Sequence, residues 1–177
     1  MVRFKVGLAA WKVVDLPTDR ARYAALQNRW LLVEFIPFPR NPAIKAPSTL
    51  DGQQIWNALK QSIISNFGDT GWGAVGLSLN VKYFSPTTYI CIIRVARDHH
   101  KIAWGGLSLL TTIQGVRYIP NVIHVSGTIK QAQLAAVSHN RAVVARYRAL
   151  ARTPAAYQDL YDEYLELSRK DIESLQD

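Results

Sequence analysis

A regular alternation of apolar and other residues from Val75 to Tyr83 is the feature that most constrains the fold of this chain. Four small or polar residues separate the apolar ones: Gly76, Ser78, Asn80 and Lys82. A period of two predicts a half-buried strand whose second face is polar and available. Because Arg94 and Arg97 end the next apolar stretch, we expect this sheet face to dock an anionic partner.

The segments before this strand predict a strand and a helix. Residues 29–35 form a strand that ends before Pro37, which cannot donate to a sheet ladder. A proline-rich loop over residues 37–50 leads into a helix that Ser48, Thr49 or Asp51 can cap and Gly68 ends. Apolar residues recur at every fourth position of this helix, which indicates that it lies flat on the sheet.

The segments after the alternating strand predict a second half with the same pattern. A turn at residues 85–87 joins it to a strand over residues 89–95. Asp98 is expected to cap a helix that ends before Gly115. The next strand, residues 118–125, contains a proline, which favours a position at the sheet edge.

Two more helices are predicted, over residues 129–152 and beyond Pro154. The order β-α-β-β-α-β predicts an α/β sandwich of the ferredoxin-like, RNA-recognition-like kind, a four-stranded antiparallel sheet with helices on one face and extra C-terminal helices. We divide the chain into an RNA-binding domain, residues 1–153, and an acidic helical extension, residues 154–177. The extension either docks a partner or is solvated and screens the basic body.

Charge is unevenly distributed along the 177 residues. Of 21 Lys and Arg and 13 Asp and Glu, residues 155–177 hold two and seven, which leaves 19 and 6, a net charge of +13, in residues 1–154. So basic a body indicates a polyanionic partner, most often nucleic acid. The alternative is that the excess charge serves solubility alone.

Other features of the composition narrow the class of protein. The single cysteine, Cys91, excludes an internal disulfide and fits a reducing compartment. No apolar run is long enough to span a bilayer, and Lys12 and Asp15 interrupt the apolar N-terminus, which is not a convincing signal peptide. We therefore expect a soluble intracellular protein with no membrane contact.

The sequence contains no recognisable catalytic or metal-binding constellation, so no catalytic residue and no metal ligand is predicted. The carboxylates of the body are few, and none are spaced as in a two-metal nuclease. His99 and His100 would diverge by about 100° on a helix, which prevents them from chelating one metal ion. A free-standing metal-dependent nuclease would have to depend on Asp69 or Asp98.

Basic and small residues converge on an RNA-binding interpretation instead. The turn from Ser126 to Thr128 opens a helix with Lys130 in its first turn, a natural phosphate site; ordinary helix capping explains the turn equally well. The aromatic signature of common RNA-recognition modules is absent, which favours recognition of backbone and shape over base stacking. The predicted RNA-binding residues are Arg3, Lys5, Arg29, Lys82, Arg94, Arg97, Lys101, Ser126, Thr128, Lys130 and Arg141.

Three stretches make a family resemblance recognisable: FGDTGWGAVGLSLNVKYFSPTT, IIRVARDHHKIAWGGLSLLTTI and HVSGTIKQAQLAAVSHNR. Together with RWLLVEFIPFP they closely resemble the family of the processing-of-precursor subunit five of ribonuclease P and ribonuclease MRP. The similarity runs in unbroken order over about residues 28–141. Several motifs together are far more specific than any one of them.

The resemblance implies a non-catalytic subunit of ribonucleoproteins whose catalysis is carried by RNA. It implies binding to ribonuclease P RNA and MRP RNA, 5′ processing of precursor tRNA through the complex, and processing of precursor rRNA. It further implies partnership with a TIM-barrel subunit of about thirty kilodaltons and other particle proteins, magnesium ions at the RNA active site with no cofactor on the protein, and a nuclear and nucleolar location. A protein-interaction adaptor without direct RNA contact is the alternative.

Residues 6–27 depart from the family pattern, because members run almost directly from MVRFK into NRWLLVEF. One hypothesis is that residues 6–27 are translated from an unspliced intron, because the codon of Val6 begins with GT and the codon of Gln27 can be CAG. The alternative is a genuine N-terminal helix carrying Leu8, Trp11 and Val14. If the segment is spliced out, Arg3, Lys5 and Arg29 become a compact basic cluster; amplifying the transcript across the junction tests this.

Overall fold

The structure, a computed structural model, describes residues 27–38, 50–150 and 155–176, without the side chains of residues 150 and 155–160. These residues form one antiparallel sheet of five strands in the order β2-β3-β1-β5-β4. The strands are β1 (Asn28–Pro37), β2 (Asn80–Ser85), β3 (Ile90–Ala96), β4 (Thr112–Ile113) and β5 (Val116–Ser126). The helices are α1 (Gly52–Val75), α2 (His100–Leu109), α3 (Ile129–Leu150) and α4 (Ala155–Glu173), and a 3-10 turn (Arg97–His99) precedes α2.

Helices cover both faces of the sheet, so the prediction of four strands with helices on one face is wrong. Leu31 and Val33 of β1 pack with α1 and α2, whereas Trp30 and Leu32 pack with α3 and Ile172 of α4. All five of these residues are fully buried. The face expected to be polar and available is therefore occupied by α3 and α4.

Helix α1 continues past Gly68, where the prediction had ended it. Gly68 does adopt a positive φ, +67°, but the helix resumes after this kink and runs to Val75. The segment after Gly68 packs against the first part of α1, because the ring of Trp72 contacts that of Trp56 edge to face, with centroids 5.5 Å apart. Burial of Val75 adds to this contact.

The prediction of a strand from Val75 to Tyr83 is therefore wrong for its first five residues. Only Asn80–Ser85 is a strand, and Leu77, placed on its buried face, is fully exposed in the turn after α1. The carbonyl of Val75 accepts from the backbone N–H groups of Ser78 and Leu79, at 3.0 and 2.8 Å. These bonds close a tight turn where the pattern suggested extended chain.

The second helix also differs from the prediction. Asp98 lies in the 3-10 turn and makes no capping bond, and α2 ends at Leu109. The chain then forms a β4–β5 hairpin whose turn residues, Gln114 and Gly115, have φ values of +50° and +79°. Two consecutive positive φ values match the tight turns that suit hairpins.

The cap of α1 and the edge position of Pro120 are confirmed, and of the three residues offered as caps it is Asp51 that caps the helix. Asp51 accepts from the N–H of Gln54 at 2.7 Å, and its own N–H donates to the Gln54 side chain, which completes a capping box. Strand β4 pairs only with residues 116–117 of β5, so among the described residues β5 is the sheet edge at Pro120. Pro120 lies opposite Phe35, whose N–H donates towards β3, so the nitrogen of Pro120 faces away from β1.

Helix α4 is tied to the sheet and to α3 by buried polar contacts. The Tyr83 hydroxyl bonds Ser168 at 2.8 Å, and Gln133 of α3 donates to the carbonyls of Ile172 and Leu175 at the end of α4, at 2.8 and 3.0 Å. The division of the chain at residue 153 stays a prediction.

Several predictions lie outside the described residues. They concern Arg3, Lys5, the insertion up to residue 26, and the end of the long helix at residues 151–154. Within the described part, no helix is long and apolar enough to cross a bilayer.

Candidate RNA-binding surface

One end of the sheet gathers the start of β1, the ends of β3 and β5, and the starts of α2 and α3. Asn28 lies opposite Ala96, and Trp30 lies opposite Ser126. The N–H of Arg97 donates to the carbonyl of Gln27 at 2.6 Å, which ties the 3-10 turn to the residue before β1. This geometry brings together segments that are far apart in the sequence.

Arg29 lies against the turn that starts α3. Its Nη1 donates to the carbonyl of Asn28 at 3.0 Å. A Cβ built on Gly127 would be 3.3 Å from that same Nη1. The guanidinium is thus half-buried beside the helix start, and the absence of a side chain at Gly127 gives it room. No sequence pattern predicts this role for Gly127.

Both hydroxyls of the turn are engaged within the chain. Ser126 is buried, and its hydroxyl donates to the carbonyl of Thr128 at 3.0 Å, which is not a capping bond. The Thr128 hydroxyl accepts from the N–H of Gln131 at 3.4 Å. The capping interpretation therefore accounts for Thr128 alone. Anion attraction at this end would come from the first-turn N–H groups and the helix dipole.

Three exposed cations surround this turn region. Arg97 lies in the 3-10 turn, Lys101 in the first turn of α2 and Lys130 in the first turn of α3. With Arg29 they form what we call the basic end of the sheet: Arg29, Arg97, Lys101 and Lys130. His100 lies nearby, and its Nδ1 is 2.6 Å from the carbonyl oxygen of Arg97.

Lys82 and Arg94 occupy a different environment, on β2 and β3. Lys82 is half-buried, and its Nζ donates to the carbonyl of Gln176, just beyond α4, at 3.3 Å. Arg94 lies opposite both Trp30 and Asn80, and its buried Nε has no hydrogen-bond partner among the described residues. Both side chains are less available than those of the basic end.

Arg141 is separated from the basic end along α3. Eleven residues divide it from Lys130, which is about 16 Å of helix. It lines a cavity of about 270 Å³ between α3 and α4, together with Asp162 and Glu166. The structure therefore gives this arginine acidic neighbours that reduce the local positive potential.

Three titratable side chains outside the basic end, those of Cys91, Tyr83 and Lys60, make contacts that stabilise the fold. Burial raises the pKa of the Cys91 thiol, which fits a core residue. Burial is also the main cause that raises the pKa of Tyr83, opposed by its hydrogen bond to Ser168. Lys60 lies over Trp56 and Trp72, with Nζ 5.6 and 5.3 Å from their ring centroids. No group of three or more His, Cys, Asp or Glu in the described ranges could hold a metal ion.

The chain was then compared with known proteins. A family model described as the Rpp14/Pop5 family matches residues 29–137. The Schizosaccharomyces pombe protein named ribonuclease P/MRP protein subunit POP5 is 38% identical over 123 residues, 67% of this chain and 88% of the relative. The Arabidopsis thaliana protein named probable ribonuclease P/MRP protein subunit POP5 is 33% identical over 106 residues, 59% of this chain and 70% of the relative.

A likeness to a solved structure was also found. A chain of the structure titled "Cryo-EM structure of yeast Ribonuclease MRP" aligns with a TM-score of 0.46 and 9% identity. The alignment covers 85% of this chain and 97% of that one.

Proposed function

Because this chain belongs to the Rpp14/Pop5 family, we propose that it is a non-catalytic protein subunit of ribonuclease P and ribonuclease MRP. The observation that carries the proposal is the family match over residues 29–137, joined by two relatives named as subunits of these particles. In this role the chain binds the catalytic RNA and supports 5′ processing of precursor tRNA and processing of precursor rRNA.

The basic end of the sheet is the proposed RNA contact. Arg97, Lys101 and Lys130 are exposed, and Arg29 lies beside the helix start that they surround. Four cations and one helix N-terminus suit contacts with several phosphates, which fix position without reading sequence. Lys82, Arg94 and Arg141 stay candidates; they would reach RNA only at the margins of α4. Arg3 and Lys5 are further candidates.

Other parts of the proposal follow from the same role. Magnesium ions would be held by RNA and substrate, with no cofactor on this chain. Protein partners would include a TIM-barrel subunit of about thirty kilodaltons, and the location would be nuclear and nucleolar. The strand order β2-β3-β1-β5, together with α1 and α2 on one face, supports a ferredoxin-like core to which β4, α3 and α4 are added.

An adaptor that binds proteins but not RNA is the second candidate. It is favoured by one observation, that Lys82 and Ser126 are engaged in contacts within the chain. In that case the basic end would be dispensable.

Purification from native cells tests the proposal. The chain is tagged at its C-terminus, the bound RNA is sequenced, and the eluate is assayed for precursor-tRNA cleavage. We expect one or two defined structured RNAs and 5′ maturation activity. Protein partners without such RNA would instead support the adaptor.

A further inference from the structure

A groove on the outer side of α1 has no charged side chain in its lining. It has a volume of about 480 Å³ and lies between residues 54–66 of α1 and residues 109–114, which link α2 to the β4–β5 hairpin. Its residues are amides, hydroxyls, Ala58, Leu109 and Leu110. In a chain with a formal net charge of +8, this surface is set apart from the basic end.

The α1 wall of the groove has the form of a helix-packing surface. Asn57, Gln61 and Ser65 are spaced by four residues, so they form one ridge along the helix. All three are exposed, and their side chains make no hydrogen bond within the described part of the chain. Beside this ridge lie the small residues Ala58 and Ser62, which leave room for the ridge of another helix.

Apolar groups flank these polar ones. Leu109, in the opposite wall, is 53% exposed. Phe67, which follows Asn66 at the end of the groove, is 39% exposed. Its ring packs closely on Gly105, where a Cβ would come within 2.7 Å of it. Aromatic residues are enriched in the buried core of protein interfaces.

Charge decides between the possible occupants. RNA docking needs cations that replace counterions, and the groove lining supplies none. Burial of a charged side chain without a partner is costly, so surfaces that become buried in a protein interface tend to lack charged side chains. We infer that this groove docks an uncharged helix face of another protein, which pairs its own amides or hydroxyls with Asn57 and Gln61. The inference rests on the proposed function, because the docked protein would be another subunit of the same particle.

Two new charges in the groove test the inference. The variant Gln61→Lys with Ser65→Lys places two cations on the ridge. The control, Thr70→Lys with Thr87→Lys, adds the same charge to two exposed positions that lie outside the groove and off its ridge. Each full-length chain is tagged, expressed in native cells and purified, and its protein and RNA partners are quantified against wild type. Each isolated chain is also titrated with a ribonuclease P RNA transcript.

With the groove variant, the recovery of one stoichiometric protein partner should fall by at least about tenfold relative to wild type. With the control, its recovery should stay at the wild-type level. Direct RNA affinity should be the same for both variants. Equal recovery of every protein partner by groove variant and control would overturn the inference. So would a gain in RNA affinity confined to the groove variant, since added cations in an RNA site strengthen binding. The wild-type eluate reports separately on the proposed function: absence of RNA from it would remove that function without changing the protein comparison.

Discussion

Asn140 is the residue at which the buried polar contacts of the second sheet face meet. It is 2% exposed; its amide donates to Ser168 at 2.8 Å, and its carbonyl oxygen accepts from the Thr88 hydroxyl at 2.8 Å. Thr88 and Ser168 are also buried, on the β2–β3 turn and on α4. One side chain thus joins three segments of the chain.

Replacement of Asn140 should therefore destabilise the fold. In Asn140→Ala the Thr88 and Ser168 hydroxyls each lose one hydrogen bond and keep another, to Tyr164 and to Tyr83. We expect a cost of about 0.5–1.5 kcal/mol per lost hydrogen bond. Urea unfolding followed by circular dichroism measures the change. Ser138→Ala, at an exposed position of the same helix, should stay within about 0.5 kcal/mol of wild type. Equal stability of the two variants would show that the network contributes nothing.

The places of several candidate residues in the fold could be predicted from the sequence, while their contact with RNA stays a prediction. Arg97, Lys101 and Lys130 lie within five residues of strand ends, so the topology alone brings them to one end of the sheet. Lys82 was correctly placed on a strand. Its contact with the carbonyl of Gln176 depends on where α4 lies, which no local pattern reveals. Gly127 could not be identified because its role is steric and belongs to Arg29.

At the scale of elements, one available signal was missed. β1 and β3 are nearly continuous apolar runs, in which both alternating sets are buried. Such runs indicate a sheet covered on both faces, whereas alternation indicates one covered face. The false strand at residues 76–79 arose because this segment alternates in polarity, whereas the N–H groups of Ser78 and Leu79 bond the carbonyl of Val75 and close a turn. The glycine-rich segment before it is helical although its helix propensity is low, because Trp72 packs on Trp56.

The close contact of α1 with α2 depends on Gly106. A Cβ at Gly106 would come within 2.5 Å of Ile63 Cγ1. Gly106→Ala should therefore overpack the interface and lower the free energy of unfolding by about 1–3 kcal/mol. Gly73→Ala is the control, because nothing lies within 4 Å of its Cβ position. That variant should raise stability by about 0.5–1 kcal/mol, since alanine favours helix. A shift of the urea midpoint in the same direction for both variants would contradict the close contact of α1 with α2 at Gly106.

Helix α4 should behave as part of the folded body. Ile172 is fully buried against the sheet, while Leu167, one turn earlier, is 54% exposed. Ile172→Ala should cost about 2–5 kcal/mol. Leu167→Ala should cost less than about 1 kcal/mol, because more than half of this residue is already exposed. Thermal unfolding of the two variants compares them on the same helix. Similar melting temperatures would mean that α4 is a separable extension.

At the scale of the whole molecule, the surfaces proposed to contact RNA and protein differ in charge. The basic end lies at one end of the strands, the groove beside α1 has no charged lining residue, and acidic side chains of α4 lie beside Arg141. This difference is what the proposal of separate RNA and protein surfaces requires of a chain with a net charge of +13 over residues 1–154. This division follows from the topology, since the antiparallel register places the cations at one end of the sheet.

The most direct test of the RNA-binding account is the salt dependence of RNA affinity. The full-length chain is titrated with a ribonuclease P RNA transcript at several salt concentrations, as wild type and as Arg97→Gln, Lys101→Gln and Lys130→Gln. Each variant should weaken binding and reduce the slope of log affinity against log salt by about one unit. Lys60→Gln, which removes a cation lying over two tryptophan rings, should leave the slope unchanged. A slope that stays at the wild-type value in all three variants would contradict the account.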